Sequence, residues 1–276
     1  MPGTTQQAAA RQLRALHEAG VLVLPNAWDA ASAAVIARAG AQAIATTSGG
    51  VSWSLGRPDG EHLTRDQMAD RVREIVTAVP VPVTADIEGG YGAGPEDVAA
   101  TIEAVIAAGA VGVNIEDSRA PGGPLFDPAA QAARIQAARA AAASAGLPGL
   151  FINTRTDVFL FAIGAAEARL DDVLARCAAY AQAGADSLFV PGLTDLPVIS
   201  KLAEVSPLPV SVMAGPGAPL IADLAAAGAR RVSVGTAIAQ AAYTLAERAA
   251  AEMLATGSYQ SLSGALDFGT MNSLFP

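Results

Sequence analysis

Cysteine and histidine are almost missing from this chain: its 276 residues include one Cys, Cys177, and two His, His17 and His62. One thiol excludes an internal disulfide, and two imidazoles leave little from which to build a zinc site. A Ser-His-Asp triad is equally short of a base. His17 falls on an amphipathic first helix and His62 beside a polar loop, so both read as surface residues. Cys177, in the helical stretch ARCAAYAQAG, reads as a small core residue. Basic residues are in deficit too, with 17 Lys and Arg against 26 Asp and Glu and a net charge of −9. That balance argues against nucleic acid or an anionic membrane as partner, because both attract basic surfaces. No stretch approaches roughly 18 uninterrupted apolar residues, and the opening MPGTTQQAAARQLRALHEAG lacks the apolar centre of a signal peptide. A cytoplasmic protein working on small molecules is expected. The glycine stretches GAGPED (92–97) and GPGAPL (215–220) lack the third glycine of a dinucleotide fingerprint, and no P-loop sequence occurs, so NAD and ATP are not expected.

What is present is apolar: 52% of residues are hydrophobic and 16% charged, the composition of one well-filled globular domain over 1–276. Short β-rich runs alternate with alanine-rich helical segments. The runs are VLVLPN (21–26), QAIATTSG (42–49), VPVTADIE (81–88), VGVNIEDS (111–118), LFINTRTD (150–157), SLFVPGL (187–193), PVSVMAG (209–215) and RRVSVG (230–235). Strands that alternate with helices imply right-handed βαβ units and a parallel sheet. The phrase AGA before four of these runs, at 39–41, 108–110, 183–185 and 227–229, reads as a glycine helix stop feeding the next strand. Eight such units predict an α/β fold, a (β/α)8 TIM-type barrel with its core over 1–237, with an open doubly wound sheet as the competitor. Residues 238–276 read as C-terminal helices and a tail whose Phe268, Met271 and Phe275 would not stay in water by preference.

Polar residues gather at the carboxyl ends of the runs: Asn26 and Asp29, Thr46 to Ser48, Asp86 and Glu88, Asn114 with Glu116 and Asp117, and Asn153 with Arg155 and Asp157. In a barrel those ends meet on one face, where active sites of this fold lie. Asp86, Glu88 and Glu116 would repel one another unless a cation lay between them. A hard divalent ion fits, since Mg2+ prefers oxygen ligands and keeps several waters; Mn2+ is a possible substitute. Asp86 and Glu88, two apart on a run, are expected to point to the same side. Arg155 supplies a planar cation suited to a carboxylate or phosphate. The small residues of TTSGGVS (46–52) are expected to leave backbone N–H groups free to form an anion-binding nest.

The motifs SGG, SLGRPDGE, DIEGGYG, NIED and NTRTD, in that order, resemble those of the isocitrate lyase/phosphoenolpyruvate mutase superfamily over roughly residues 20 to 240. The resemblance implies an α/β barrel that binds Mg2+ and acts on 2-oxo acids or their precursors. It implies Asp86 as a direct metal ligand, with Glu88 and Glu116 acting mainly through waters, and Ser48, Gly49 and Gly50 holding a substrate carboxylate with support from Arg155. Asp59 matches an aspartate that holds the metal's water shell or faces the reacting group. Glu88 stands where aspartate is more usual. Asn153 joins the expected substrate contacts, and Asp59, Arg155, Glu116 and Tyr91 the expected catalytic set. The resemblance also implies a C-terminal helix exchanged between subunits of a homodimer or homotetramer.

The loop Glu116 to Pro128, EDSRAPGGPLFDP, separates the possible reactions. Superfamily lyases that cleave isocitrate or 2-methylisocitrate carry a KRCGH-type motif there, whose cysteine donates a proton; this loop has neither cysteine nor histidine. The phosphonate-forming mutases carry a lysine and an asparagine; here Arg119 is the sole cation. Oxaloacetate decarboxylation asks least of such a loop. A C–C lyase using Tyr91 or a water as proton donor, phosphonate chemistry, and a 2-oxo acid binding protein with little turnover remain open.

Overall fold

The computed structural model describes residues 3–275. Its strands are β1 (Leu22–Leu24), β2 (Asn26–Ala27), β3 (Ile44–Thr46), β4 (Val83–Asp86), β5 (Gly112–Glu116), β6 (Phe151–Arg155), β7 (Ser187–Val190), β8 (Val210–Met213) and β9 (Ala229–Ser233). All pair in parallel in the order β1-β9-β8-β7-β6-β5-β4-β3-β2. The ends of that order, β1 and β2, are consecutive pieces of the first run, so the sheet curls round to meet itself in a TIM-type barrel. The expected eight strands thus become nine. The break falls at Pro25, which has no N–H to give to a ladder. Asn26 spans the seam: its side-chain amide donates to the Thr46 carbonyl (3.0 Å) and accepts from the Val234 N–H (3.0 Å).

The helices are α1 (Thr4–Glu18), α2 (Ala30–Arg38), α3 (Ser48–Ser54), α4 (Arg65–Ala78), α5 (Pro95–Ala107), α6 (Pro128–Ser144), α7 (Arg169–Gln182), α8 (Leu196–Val205), α9 (Ile221–Ala226), α10 (Ala237–Thr256) and α11 (Phe268–Asn272). The AGA glycines stop four of them as expected. Gly40, Gly109, Gly184 and Gly228 lie just past α2, α5, α7 and α9 with φ near +100° (102°, 99°, 97° and 100°), a conformation closed to side-chain-bearing residues at low cost. Helices pack on the sheet through alternate strand residues such as Val113, Ile115, Leu188 and Val190, all fully buried.

α1 closes the amino-terminal mouth of the barrel. Leu13 is fully buried, and a Cβ at Gly112, the first residue of β5, would stand 2.8 Å from its Cδ2. One turn on, His17 stacks on Phe151 at 3.9 Å between ring centroids and makes a Nδ1 hydrogen bond to the Leu13 carbonyl at 2.8 Å. The expectation of a surface His17 is therefore corrected: the ring is 7% exposed. Burial, reinforced by the positive charge of Arg231, lowers its pKa from 6.5 to about 4. The native state refuses a proton that the unfolded chain accepts, so this group's contribution to stability is complete above pH 6.5 and is lost as pH falls toward 4. The loss at pH 4 is about 3 kcal/mol. His17→Phe keeps the stacked ring, and its urea-unfolding free energy is expected to fall less than wild type's between pH 7 and 4.5; parallel curves would contradict this.

At the other end of the chain α10 leaves the barrel. Of its twenty residues only Ala239 and Ala249 are buried, while Tyr243, Leu245, Met253 and Leu254 face outward, the last 89% exposed. No helix among the described residues is long and apolar enough to cross a membrane.

Candidate active site

Asp86, Glu116 and Arg155 are the last residues of β4, β5 and β6, and the ladder pairs Glu116 directly with Arg155. Alternation along the strands turns all three into the barrel at its carboxyl end. Asp86 is anchored by main-chain groups: its N–H donates to Thr46 Oγ1 (2.8 Å), and its carboxylate accepts from the N–H groups of Ser48 (3.2 Å) and Glu88 (3.3 Å). Among the described residues it has no ion-pair partner. Arg155 lies between two acids, with Nη1 2.7 Å from Glu116 Oε2 and Nε 2.6 Å from Asp157 Oδ1. Burial lowers its pKa, but Glu116, Asp157 and Asp86 outweigh that and hold it firmly protonated. Glu116 is raised well above the usual carboxylate range, first by burial and then by Asp157, Asp86 and Glu88, with Arg155 opposing.

Glu88 reaches the cluster by a different route from the one expected. It lies two residues beyond β4, in a turn with φ +50°, so strand alternation does not aim it. Its Oε2 accepts from the Glu61 N–H at 2.5 Å and its Oε1 from the Tyr91 hydroxyl at 3.1 Å. Burial pushes its carboxyl up to about 7, with the Asp86 and Asp59 charges adding to the rise. Burial, then the Glu88 charge, raises the Tyr91 phenol, so it stays protonated. The turn is held from beneath by Arg134, a buried guanidinium donating to the carbonyls of Gly89, Gly92 (2.9 Å) and Ala93 (2.6 Å) while packing 4.3 Å from the Phe126 ring.

TTSGGVS is not an open nest. Residues 48–54 form the short helix α3, and the Ser48 N–H is already shared with Asp86. Gly49 and Gly50 occupy its first turn, where amides have no intrahelical acceptor. Both need to be glycine for space. A Cβ at Gly49 would come 2.8 Å from Thr236 Cγ2 and 3.2 Å from Asp59 Oδ2, and one at Gly50 2.8 Å from Trp28 Cβ. Asp59 belongs to an exposed loop, but its carboxyl turns inward against Gly49, and burial followed by the Asp86 charge raises its pKa.

Asn153 departs from expectation. It is fully buried one layer below, its amide donating to Asn114 Oδ1 (2.7 Å) and accepting from the hydroxyls of Ser187 and Ser211. It shapes the floor of the site, with its amide nitrogen and oxygen both engaged by neighbouring side chains. Asp117 likewise turns away, into a buried group with Arg176 and Tyr180. Sequence reasoning missed Ser118, whose hydroxyl donates to Asp157 Oδ2 at 2.5 Å, and Arg176, whose Nη1 donates to the Phe126 carbonyl and so fixes the base of the 118–126 loop. Ser118 and Leu125 pair across that loop as a small hairpin. It roofs a cavity of about 380 Å³ lined by Glu61, Glu88, Glu116, Ser118, Arg119 and Phe126.

The donor set suits a hard divalent ion. It is all carboxylate oxygen, its members raise one another's pKa values, and Asp86 keeps lone pairs that only two long N–H contacts approach. Among the described residues no three Asp, Glu, His or Cys side chains converge tightly enough to cage an ion unaided. An ion held here would take its remaining oxygens from water and substrate, as Mg2+ commonly does.

A family model described as phosphoenolpyruvate phosphomutase matches residues 13–254. The chain belongs to this family. The crystal structure of a putative phosphonomutase from Burkholderia cenocepacia J2315 is 48% identical with a TM-score of 0.82, covering 87% of this chain and 98% of that one. The 2-methylisocitrate lyase of Salmonella typhimurium is 33% identical over 201 residues, 71% of this chain and 66% of the lyase. The oxaloacetate decarboxylase of a Bradyrhizobium strain is 33% identical over 183 residues, 65% of this chain and 60% of the decarboxylase. The lyase and the decarboxylase, both 33% identical to this chain, carry different activities in their names, and the site itself must discriminate.

Proposed function

We propose that this chain is a metal-dependent lyase of a small 2-oxo acid, working through a pyruvate-like enolate, with oxaloacetate decarboxylation as its reaction. The observation that carries this reading is the combination of a carboxylate cluster around one arginine, paired with Glu116 and Asp157, with a roof that offers no cysteine, histidine or lysine among its lining residues.

Asp86 would hold the ion directly, with Glu88 and Glu116 engaging it through water. When bound, a divalent ion supplies Lewis-acid polarisation of the 2-oxo group. The chain's own residues do the rest. The first-turn amides of α3 at Gly49 and Gly50 and the Arg155 guanidinium bind the C1 carboxylate and place fixed positive potential where enolate charge develops, while the Ser48 N–H stays with Asp86. The C3–C4 bond then breaks, its electron pair moves into the C2–C3 bond, and CO2 leaves with no base required. Tyr91 and Glu88 hold a proton between them at their hydrogen bond; the Tyr91 hydroxyl passes its proton to C3 to give pyruvate, the Glu88 carboxyl returns one to the phenolate oxygen, and water reprotonates Glu88. Asp59 and the 118–126 hairpin exclude bulk water from the reacting atoms. The exposed apolar residues of α10 support self-association as a homodimer or homotetramer; a monomer by sedimentation at micromolar concentration would remove that part.

The test is product release with Mg2+ and with EDTA: pyruvate from oxaloacetate, 2-methylisocitrate and dimethylmalate, glyoxylate from isocitrate, and pyruvate or phosphoenolpyruvate from phosphonopyruvate. Mg2+-dependent turnover of oxaloacetate alone is the expected result. Cleavage of a larger acid instead would assign a C–C lyase, and binding without turnover would make the chain a 2-oxo acid binding protein.

A further inference from the structure

Glu61 closes the motif SLGRPDGE, from which it took no role, yet it stands where three loops meet. It follows Asp59 by two residues, and its backbone and side chain both face the turn that carries Glu88 and Tyr91. Its N–H donates to Glu88 Oε2 (2.5 Å), and its own Oε1 accepts from the Tyr91 N–H (2.8 Å). The two bonds are reciprocal: each acid receives an N–H from the segment bearing the other. Glu61, Glu88 and Tyr91 all have positive φ (58°, 50° and 58°), and none is glycine. Such conformations cost free energy and persist where surrounding contacts over-determine them. Packing is close as well: a Cβ at Gly89 would lie 3.1 Å from Glu61 Oε1, and one at Gly60 would lie 2.5 Å from Pro121 Cγ in the roof hairpin.

We propose that Glu61 is a positioning residue, a latch that fixes the Asp59 loop against the Glu88–Tyr91 turn and so sets the relative placement of Asp59, Glu88 and the Tyr91 hydroxyl. The inference rests on the functional reading above and extends it. Arg134 holds the turn from below but makes no hydrogen bond to the Asp59 loop; Glu61 joins the two segments from above. Its carboxylate touches no reacting atom on this account and acts through Tyr91 and Glu88. Glu61 is exposed and outside the core clusters, so its variants should fold.

Glu61→Ala removes the acceptor for the Tyr91 N–H, whereas Glu61→Gln keeps one in the same place. The loss of one positioning contact is expected to lower kcat about tenfold in Glu61→Ala while KM stays within about twofold, the scale of an outer-partner deletion. Glu61→Gln should stay near wild type. Amide hydrogen exchange over residues 87–93, read on the metal-free protein, should quicken in Glu61→Ala and not in Glu61→Gln. Unchanged exchange in Glu61→Ala overturns the latch whatever the activity does. Quickened exchange with wild-type kcat overturns the positioning role, as does equal impairment of the Ala and Gln variants. A wild-type protein that turns over none of the acids tested sinks the functional reading and the positioning role with it, while the exchange result still reports whether the contact holds the turn.

Discussion

Asp86→Ala is expected to abolish Mg2+-dependent turnover, by at least about 10³-fold, while leaving the protein as stable as wild type or more so. The first half follows from its position. Asp86 is the acid that the fold presents without an ion-pair partner, and removing a direct ligand costs more than the roughly 10–100-fold loss that follows when an outer partner is removed. The second half follows from electrostatics. Asp59, Glu88 and Glu116 are each raised in pKa in part by the Asp86 charge, so deleting that charge relieves three repulsions in the metal-free protein, set against the attractions it gives up to Arg155 and Arg231. Paired measurement of kcat/KM and of the metal-free melting temperature checks both halves. A variant that keeps turnover contradicts the assignment of the site. One that loses turnover only because it unfolds contradicts the argument that this acid is kept for function at the expense of stability.

Arg155→Met should fail in the opposite manner, losing both activity and fold stability. The guanidinium is the counter-charge for Glu116 and for Asp157, whose side chain is fully buried. Taking one partner from a buried ion pair leaves the other uncompensated, at a cost of about 3–5 kcal/mol. Turnover should fall by about 10²–10³-fold as positive potential at the substrate carboxylate disappears. Combining Arg155→Met with Asp157→Asn removes one of the two stranded charges and should recover part of the stability without restoring turnover. If the double variant recovered turnover as well, Arg155 would be a structural counter-ion only. Arg155→Lys keeps the charge but loses the fork that grips Asp157 through two nitrogens, and should fall between wild type and Arg155→Met.

The carboxyl-end charges were legible in the sequence because strand ends carry positional information: Asp86, Glu116 and Arg155 each fall near the end of a run, with two further residues after it, and each ends a strand in the structure. The AGA stops were legible for the same kind of reason, a local backbone need that glycine alone meets cheaply. What escaped was set by tertiary packing. The first run looks continuous, and only barrel closure makes Pro25 a seam with different partners on either side. His17 was read as a surface residue from the polarity of its helix, although Ala10, Leu13 and His17 share one face and are buried together. Asn153 has the right strand and nearly the right position, but the layer spacing inside the barrel puts it beneath the site. Glu61 and Arg134 sit 27 and 46 positions from Glu88 in loop and helix, with no periodicity to connect them. Buried arginines such as Arg134, Arg176 and Arg231 resemble ordinary helix or strand polar residues until the fold encloses them.

On the proposed reading the cluster stabilises the enolate of pyruvate, whatever group leaves C3. Incubating the protein with pyruvate and Mg2+ in D2O, and following the methyl signal by proton NMR, tests that claim without a choice of substrate. Deuterium wash-in at C3 that EDTA and Asp86→Ala both abolish is the predicted result. Pyruvate that binds to the Mg2+-loaded protein yet keeps its methyl protons would contradict it.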